Sequence, residues 1–193
     1  MADRPRPPRL ILASASPRRR DLLALFDLDF DTVVAEVDET PLAGESADAL
    51  VARLACAKAR TVATPGDVVI GADTVVVVDG SVLGKPRDPL QAAAMLASLS
   101  GRAHTVLTGL VVIDADGEER QIVERTEVRF RDLDAAEIRA YVESGEPLDK
   151  AGAYAIQGRG GRFVTSIDGS YHNVVGLPLA QLEPLIRAAL SVE

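Results

Sequence analysis

The sequence predicts an α/β fold built on a mixed sheet, and three observations carry that expectation. Strand-like and helix-like segments alternate from residue 10 onward, the pattern of folds whose helices cover a central sheet. The dipeptides Asp79-Gly80 and Asp116-Gly117 stand between apolar runs, where Asp-Gly signals a tight hairpin and hence antiparallel neighbours inside the alternation. The composition is globular, with 47% hydrophobic and 26% charged residues in 193, enough chain to bury a sizeable core. Aromatics are 4% and Trp is absent, so aliphatic side chains must fill that core.

Taken in order, Leu10-Ile11-Leu12-Ala13 reads as a short buried strand. Ser16 suits an N-cap and Pro17 the first helical position, so a helix should follow and carry residues 21–26. A strand is expected over 31–35, then an acidic loop, Glu36-Val37-Asp38-Glu39-Thr40. Residues 47–63 place Leu50, Val51, Leu54 and Cys56 among alanines at helical spacing, with Arg53, Lys58 and Arg60 as cations. Residues 68–78 are strand-like throughout and turn at Asp79-Gly80 into 81–83. Asp88 caps a helix from Pro89 through Leu99, stopped by Gly101. Segments 106–113 and 121–130 form a second pair around Asp116-Gly117. Asp134 with Glu137 makes an acidic capping box for a helix ending near Ser144-Gly145. A glycine-rich tract over 151–161 precedes a strand over 163–167, a turn at Asp168-Gly169 and a last helix over 178–190. No repeat or linker interrupts this, which predicts one domain over 10–193 after a flexible extension over 1–9.

Charge and composition narrow the function. The formal net charge of −8 disfavours sequence-blind binding to nucleic acid or to an anionic membrane. An anionic small molecule would therefore need a local basic pocket. No apolar stretch reaches transmembrane length and none of signal-peptide length follows the first nine residues, which predicts a cytoplasmic protein. The single Cys56 excludes an intramolecular disulfide and reads as packing. His104 and His172 are too far apart for a zinc pattern and are assigned to structure. No Gly-x-Ser-x-Gly elbow appears, so a serine-hydrolase triad is unsupported.

Four segments carry chemistry. In Ser14-Ala15-Ser16-Pro17-Arg18-Arg19-Arg20, three arginines occupy the first turn of a helix, where the dipole opposes positive charge. A bound polyphosphate would reverse that sign by meeting backbone N–H groups, serine hydroxyls and guanidinium forks; without one the segment is a solvated basic turn. Asp73, inside an apolar strand, needs a cation, hydrogen bonds or a metal. The acidic loop, Glu39 foremost, offers a second carboxylate for one Mg²⁺ or Mn²⁺; otherwise Asp73 is a structural ion-pair partner. Gly84-Lys85-Pro86 is not a phosphate loop, because Pro86 stands where Ser or Thr is required, although Lys85 can reach a phosphate from a hairpin end. The 149–158 segment lacks a dinucleotide fingerprint, and its Gln157 presents both donor and acceptor, which suits a base edge.

In this order the segments resemble the Maf family of nucleoside triphosphate pyrophosphatases. The likeness rests on Ser14-x-Ser16-Pro17-Arg18-Arg19, Glu39, Ala57-Lys58-Ala59, Gly71-Ala72-Asp73-Thr74 and Gly84-Lys85-Pro86. It continues through Ala151-Gly152-x-Tyr154-x-Ile156-Gln157-Gly158 and Asp168-Gly169-Ser170-Tyr171-x-Asn173-Val174-Val175-Gly176-Leu177-Pro178. Ala15, where glycine is frequent, is a mild departure. The resemblance implies an inosine-triphosphatase-like (Ham1) fold, with an elongated twisted mixed sheet, flanking helices and two lobes around a cleft. It also implies cleavage between the α and β phosphates, a divalent cation and a homodimer. By the same resemblance Asp73 is the proton acceptor, and Arg18, Thr74 and Gln157 govern substrate choice. Ser14, Arg18, Arg19, Lys58 and Lys85 bind phosphate, and Glu39 with Asp73 holds the metal. Ile156-Gln157-Gly158 is similar to the subgroup acting on dTTP and UTP, with modified pyrimidine triphosphates as further candidates. The family's association with septum formation leaves a second reading, a non-catalytic nucleotide-binding regulator of cell division.

Overall fold

The computed structural model describes residues 8–190. Among them a seven-stranded sheet runs in the order β2-β1-β3-β5-β6-β7, with β4 paired to β3. The strands are β1 (Leu10–Ala13), β2 (Phe30–Val33), β3 (Val68–Val78), β4 (Ser81–Leu83), β5 (Ala103–Ile113), β6 (Glu119–Phe130) and β7 (Val164–Asp168). Parallel pairing joins β1 to both β2 and β3, while β3–β4 and β6–β7 are antiparallel. This is the mixed sheet expected from helical crossovers interrupted by hairpins. At the first hairpin Asp79 and Gly80 both take positive φ, 49° and 74°, which favours Gly or Asp there and matches the twist of the flanking strands.

The helices are α1 (Pro17–Leu23), α2 (Ala47–Val62), α3 (Pro89–Leu99), α4 (Ala135–Glu143), α5 (Tyr171–Val175) and α6 (Leu179–Leu190). Ser16, Ser46, Asp88 and Asp134 each accept a backbone N–H at a helix start, and Asp134 with Glu137 closes the expected capping box. Three details depart from expectation. The first helix ends at Leu23 and tightens into a 3₁₀ turn over Ala24–Phe26. Ser170 to Val175 reads as loop in sequence but winds into α5, where Asn173 is fully buried. The glycine-rich tract becomes short 3₁₀ turns over Ala151–Ala153 and Arg159–Phe163.

Backbone contacts divide the chain into two compact units. The first holds the described residues up to Asp73, Gly109–Glu124 and those from Gly176 onward; the second holds Thr74–Thr108 and Arg125–Val175. In the first, Ile11, Ala13, Val69, Val111 and Ile113 of the sheet pack against Ala55, Cys56 and Ala59 of α2. The approach is close enough to require glycine in the sheet. A Cβ at Gly71 would overlap the Ala55 carbonyl and meet Ala59, and one at Gly109 would overlap the Val51 carbonyl.

The core of the second unit gathers Met95, Leu96, Leu99, Val128, Phe130, Tyr141, Tyr154 and Phe163. His104 belongs to it, as expected of a structural histidine. It is 3% exposed, lies edge-on to Phe130, and places Nε2 2.9 Å from the Tyr154 hydroxyl. Burial lowers its pKa from 6.5 to about 4, so the ring is neutral. Burial also raises the Tyr154 hydroxyl above its ordinary range. The first seven residues, most of the expected extension, lie outside the described residues. Arg9 is described, and it donates twice to Asp67, at 3.0 and 2.7 Å.

Candidate active site

In the first unit, strand register sets the site. Ala13, the last residue of β1, pairs with Gly71 of the parallel strand β3. The Ser14–Arg20 turn therefore leaves the sheet beside the segment that carries Asp73. Within that turn the Ser14 hydroxyl accepts from the Ser16 N–H at 3.1 Å, and the Ser16 hydroxyl accepts from the Arg19 N–H at 3.4 Å. Arg19 donates through Nε to the Gly176 carbonyl at 2.8 Å and through Nη1 to the Ser14 hydroxyl at 3.4 Å. Its guanidinium is thereby fixed in a half-buried position. Burial pulls its pKa below the ordinary value, Asp73 and Glu39 act to raise it, and Arg18 acts to lower it. The arginine turn and Asp73 thus share one electrostatic neighbourhood.

Asp73 is 7% exposed in the middle of β3, where an uncompensated carboxylate would be costly. Its partner is Lys58 on α2, whose Nζ lies 2.6 Å from Asp73 Oδ1. The same Nζ lies 2.6 Å from Glu39 Oε1. One ammonium therefore joins the buried carboxylate to one that is 53% exposed. The acidic loop carrying Glu39 is tied to the same helix through Arg53. That guanidinium donates to both oxygens of Glu45, at 2.6 and 2.8 Å, and to the Thr40 carbonyl at 3.1 Å. Hydrogen bonds from Arg53, then from the Leu42 N–H, pull the Glu45 carboxyl down to about 2, so the tether stays ionised at any ordinary pH.

This donor set suits a hard divalent cation. The Glu39 and Asp73 carboxylates both lie against the Lys58 ammonium, and Mg²⁺ or Mn²⁺ is commonly held by one or two carboxylates plus phosphate and water. Among the described residues no group of three or more His, Cys, Asp or Glu side chains forms a candidate metal cage. A cation here would therefore draw its remaining ligands from substrate and solvent.

Thr74, Lys85 and Gln157 belong to the second unit. Thr74 Oγ1 lies 2.9 Å from Thr108 Oγ1, and the Thr108 hydroxyl donates to the Asn173 carbonyl at 3.2 Å. Either hydroxyl can donate in the Thr74–Thr108 pair. Lys85 is exposed and follows Gly84, whose carbonyl accepts the Gly152 N–H at 3.1 Å. Gln157 is exposed in a turn of the glycine-rich tract.

Of the residues expected from sequence, Ser14 and Arg19 are in direct contact, as are Glu39, Lys58 and Asp73. Arg18 acts on Arg19 through its charge. Sequence reasoning did not find the supporting groups: the Gly176 carbonyl, the Arg53–Glu45 tether, Thr108, and Glu146 beneath the Gln157 turn. Asn173 and Gly176 carried a signal, as parts of the motif around Tyr171.

The sequence matches the family profile described as Maf-like protein over residues 9–189. It is 54% identical over 182 residues to the dTTP/UTP pyrophosphatase of Myxococcus xanthus, covering 93% of this chain and 92% of that one. It is 55% identical over 172 residues to the dTTP/UTP pyrophosphatase of Symbiobacterium thermophilum, with 88% of each covered. Among solved structures the Ham1 protein of Staphylococcus aureus superposes with a TM-score of 0.52 at 13% identity, covering 93% of this chain and 98% of that one; this is a likeness of fold. A profile match spanning nearly the whole chain, joined to relatives that share more than half their residues over almost their full length, shows that this chain belongs to the Maf family.

Proposed function

We propose that this chain is a nucleoside triphosphate pyrophosphatase that hydrolyses dTTP and UTP to the monophosphate and pyrophosphate. The observation that carries this reading is a fixed guanidinium in the first unit, which the charge of a buried carboxylate reaches, with an ammonium bonded to that carboxylate. Arg19 is held by Gly176 and Ser14, and Lys58 lies on Asp73. A site that only bound nucleotide would need the cations but not a carboxylate placed among them. The relatives named for dTTP and UTP supply the substrate class.

In this mechanism water attacks the α-phosphorus and gives its proton to Asp73. The bond from the α-phosphorus to the bridging oxygen breaks, and pyrophosphate leaves with the negative charge. Arg18 and Arg19 neutralise the charge that grows on the leaving group, with the Ser14 hydroxyl beside them. Lys58 holds Asp73 in place through its hydrogen bond, and Lys85 serves the phosphate chain. Thr74 and Gln157 select the nucleotide. A divalent cation bound by Glu39 and Asp73 would supply charge neutralisation and a more acidic water. The enzyme acts in the cytoplasm as a homodimer and takes neither nucleic acid nor membrane as partner. The assembly rests on the family resemblance. No described helix is long and apolar enough to cross a membrane.

The test is a panel of nucleoside triphosphates with Mg²⁺ or Mn²⁺, assayed for released pyrophosphate. The reading expects pyrophosphate from dTTP and UTP well ahead of CTP and the purine nucleotides. Orthophosphate as the product would indicate γ-phosphate cleavage. Tight binding without turnover would favour the regulator of cell division.

A further inference from the structure

Gln157 sits on an exposed turn, yet a base-reading side chain needs a fixed backbone beneath it. The residues on either side of it are fastened to two neighbouring side chains. Upstream, the Ala155 N–H donates to the Tyr141 hydroxyl at 3.1 Å. Downstream, the Arg159 N–H donates to Glu146 Oε2 and the Gly160 N–H to Glu146 Oε1, each at 3.1 Å. The Tyr141 hydroxyl in turn donates to Glu146 Oε1 at 2.8 Å. One carboxylate therefore accepts three hydrogen bonds, and through Tyr141 it is linked to both flanks of Gln157. Charge-assisted bonds of this kind are the stronger class.

The local sequence is shaped to admit that carboxylate. A Cβ on Gly158 would lie 2.5 to 2.6 Å from the Glu146 carboxylate atoms, and one on Gly160 would lie 2.7 Å from the Tyr141 oxygen. Tyr141 is 1% exposed and packs edge-on to Phe163, with ring centroids 5.0 Å apart. Its hydroxyl is thus anchored from the core. Glu146 itself begins the 3₁₀ turn Glu146–Asp149, separated from α4 by Ser144 and Gly145.

We propose that Glu146 is a positioning residue for nucleotide selection, acting through Gln157 and assisted by Tyr141. It touches no substrate. It sets where the Gln157 amide is presented, so losing it costs discrimination between pyrimidine bases more than it costs phosphate chemistry. The inference rests on the proposed base-reading role of Gln157.

The experiment is a double-mutant cycle on the full chain, with Glu146→Gln, Gln157→Ala and the combination. The readout is the preference for UTP over CTP, as the ratio of their kcat/KM values. Glu146→Gln keeps the shape of the side chain but turns an amide N–H₂ toward groups that now donate to an oxygen. A displaced recognition group loses binding energy steeply, so the preference should fall about tenfold or more. The double variant should be no less selective than Gln157→Ala alone. An unchanged preference in Glu146→Gln, with a lowered one in Gln157→Ala, overturns the inference and leaves the reading of Gln157 standing. Independent, multiplicative losses also overturn it, because Glu146 would then act elsewhere. An unchanged preference in Gln157→Ala overturns that reading and the inference with it. If Glu146→Gln does not fold, Tyr141→Phe removes the upstream bond from Ala155 and the bond that ties Tyr141 to Glu146, and is held to the same expectations.

Discussion

Replacing Lys58 with Met removes the one ammonium that joins Asp73 to Glu39. At 2.6 Å from Asp73 Oδ1, its Coulomb attraction is about 6 kcal/mol at an effective dielectric constant near 20. The cost of taking both charges out of water offsets much of this. What remains measurable is the penalty of leaving one charge behind, about 3–5 kcal/mol for a buried pair. The Asp73 side chain is 10% exposed and keeps that penalty, whereas Glu39 is 53% exposed and is largely rehydrated. The low end, about 3 kcal/mol, is therefore expected for Lys58→Met. In a chain of this size that lowers Tm by about 6–12 °C. Thermal and urea unfolding at pH 7.5 in chelator would measure it, and the double variant Lys58→Met/Asp73→Asn should recover part of the loss because no charge is stranded. A Lys58→Met protein melting within a degree or two of the parent would refute this energetic picture of the pair.

Three further outcomes are expected from other parts of the molecule. His104 is held neutral by burial with a pKa near 4, so below pH 6.5 the unfolded chain binds a proton that the folded chain refuses. The stability this contributes is complete above pH 6.5 and is lost as pH falls toward 4. Between pH 7 and 5 the parent should lose about 2 kcal/mol more than His104→Phe in urea titrations; equal slopes would contradict it. Gly71→Ala puts a methyl into the Ala55 carbonyl and pushes α2, with Lys58, away from β3. It should cost about 1–3 kcal/mol of stability and reduce turnover, and a variant with normal melting and activity would disprove the close approach. Gln157→Glu removes the amide donor and should narrow the preference for UTP and dTTP by about tenfold or more. Unchanged relative rates across the nucleotide panel would exclude Gln157 from base recognition.

Most of the framework was legible because its signals are local. Asp79-Gly80 could do little but turn, Asp134 with Glu137 announces a helix start, and a strand-like apolar run over 68–78, interrupted by Asp73, has few homes outside a buried strand. Asp73 stood out for the same reason, as a charge where none is welcome. The site's internal wiring was not legible, since it depends on groups distant in the chain. The resemblance assigns Lys58 to phosphate and the Glu39–Asp73 pair to metal, and that the Lys58 ammonium also lies on both carboxylates had no local signal. The close packing of α2 on Gly71 and Gly109 and the Arg53 tether of the acidic loop both contribute to that meeting. Glu146 had no signal at all, being one acid in a polar loop until the glycine-rich tract wraps around it. The helix Tyr171–Val175 was hidden because Asp168-Gly169-Ser170 spells a turn, and the burial of Asn173 that stabilises the helix is tertiary.

The most direct measurement is pyrophosphate release from dTTP by purified, folded Asp73→Asn under saturating Mg²⁺ or Mn²⁺. Asparagine preserves the shape of the side chain and cannot take up the proton of the attacking water. Turnover should drop by about 10²- to 10⁴-fold while the melting curve still shows a folded protein. Turnover within a few-fold of the parent would mean that some other group receives the proton, and the buried carboxylate would then be only a partner for Lys58.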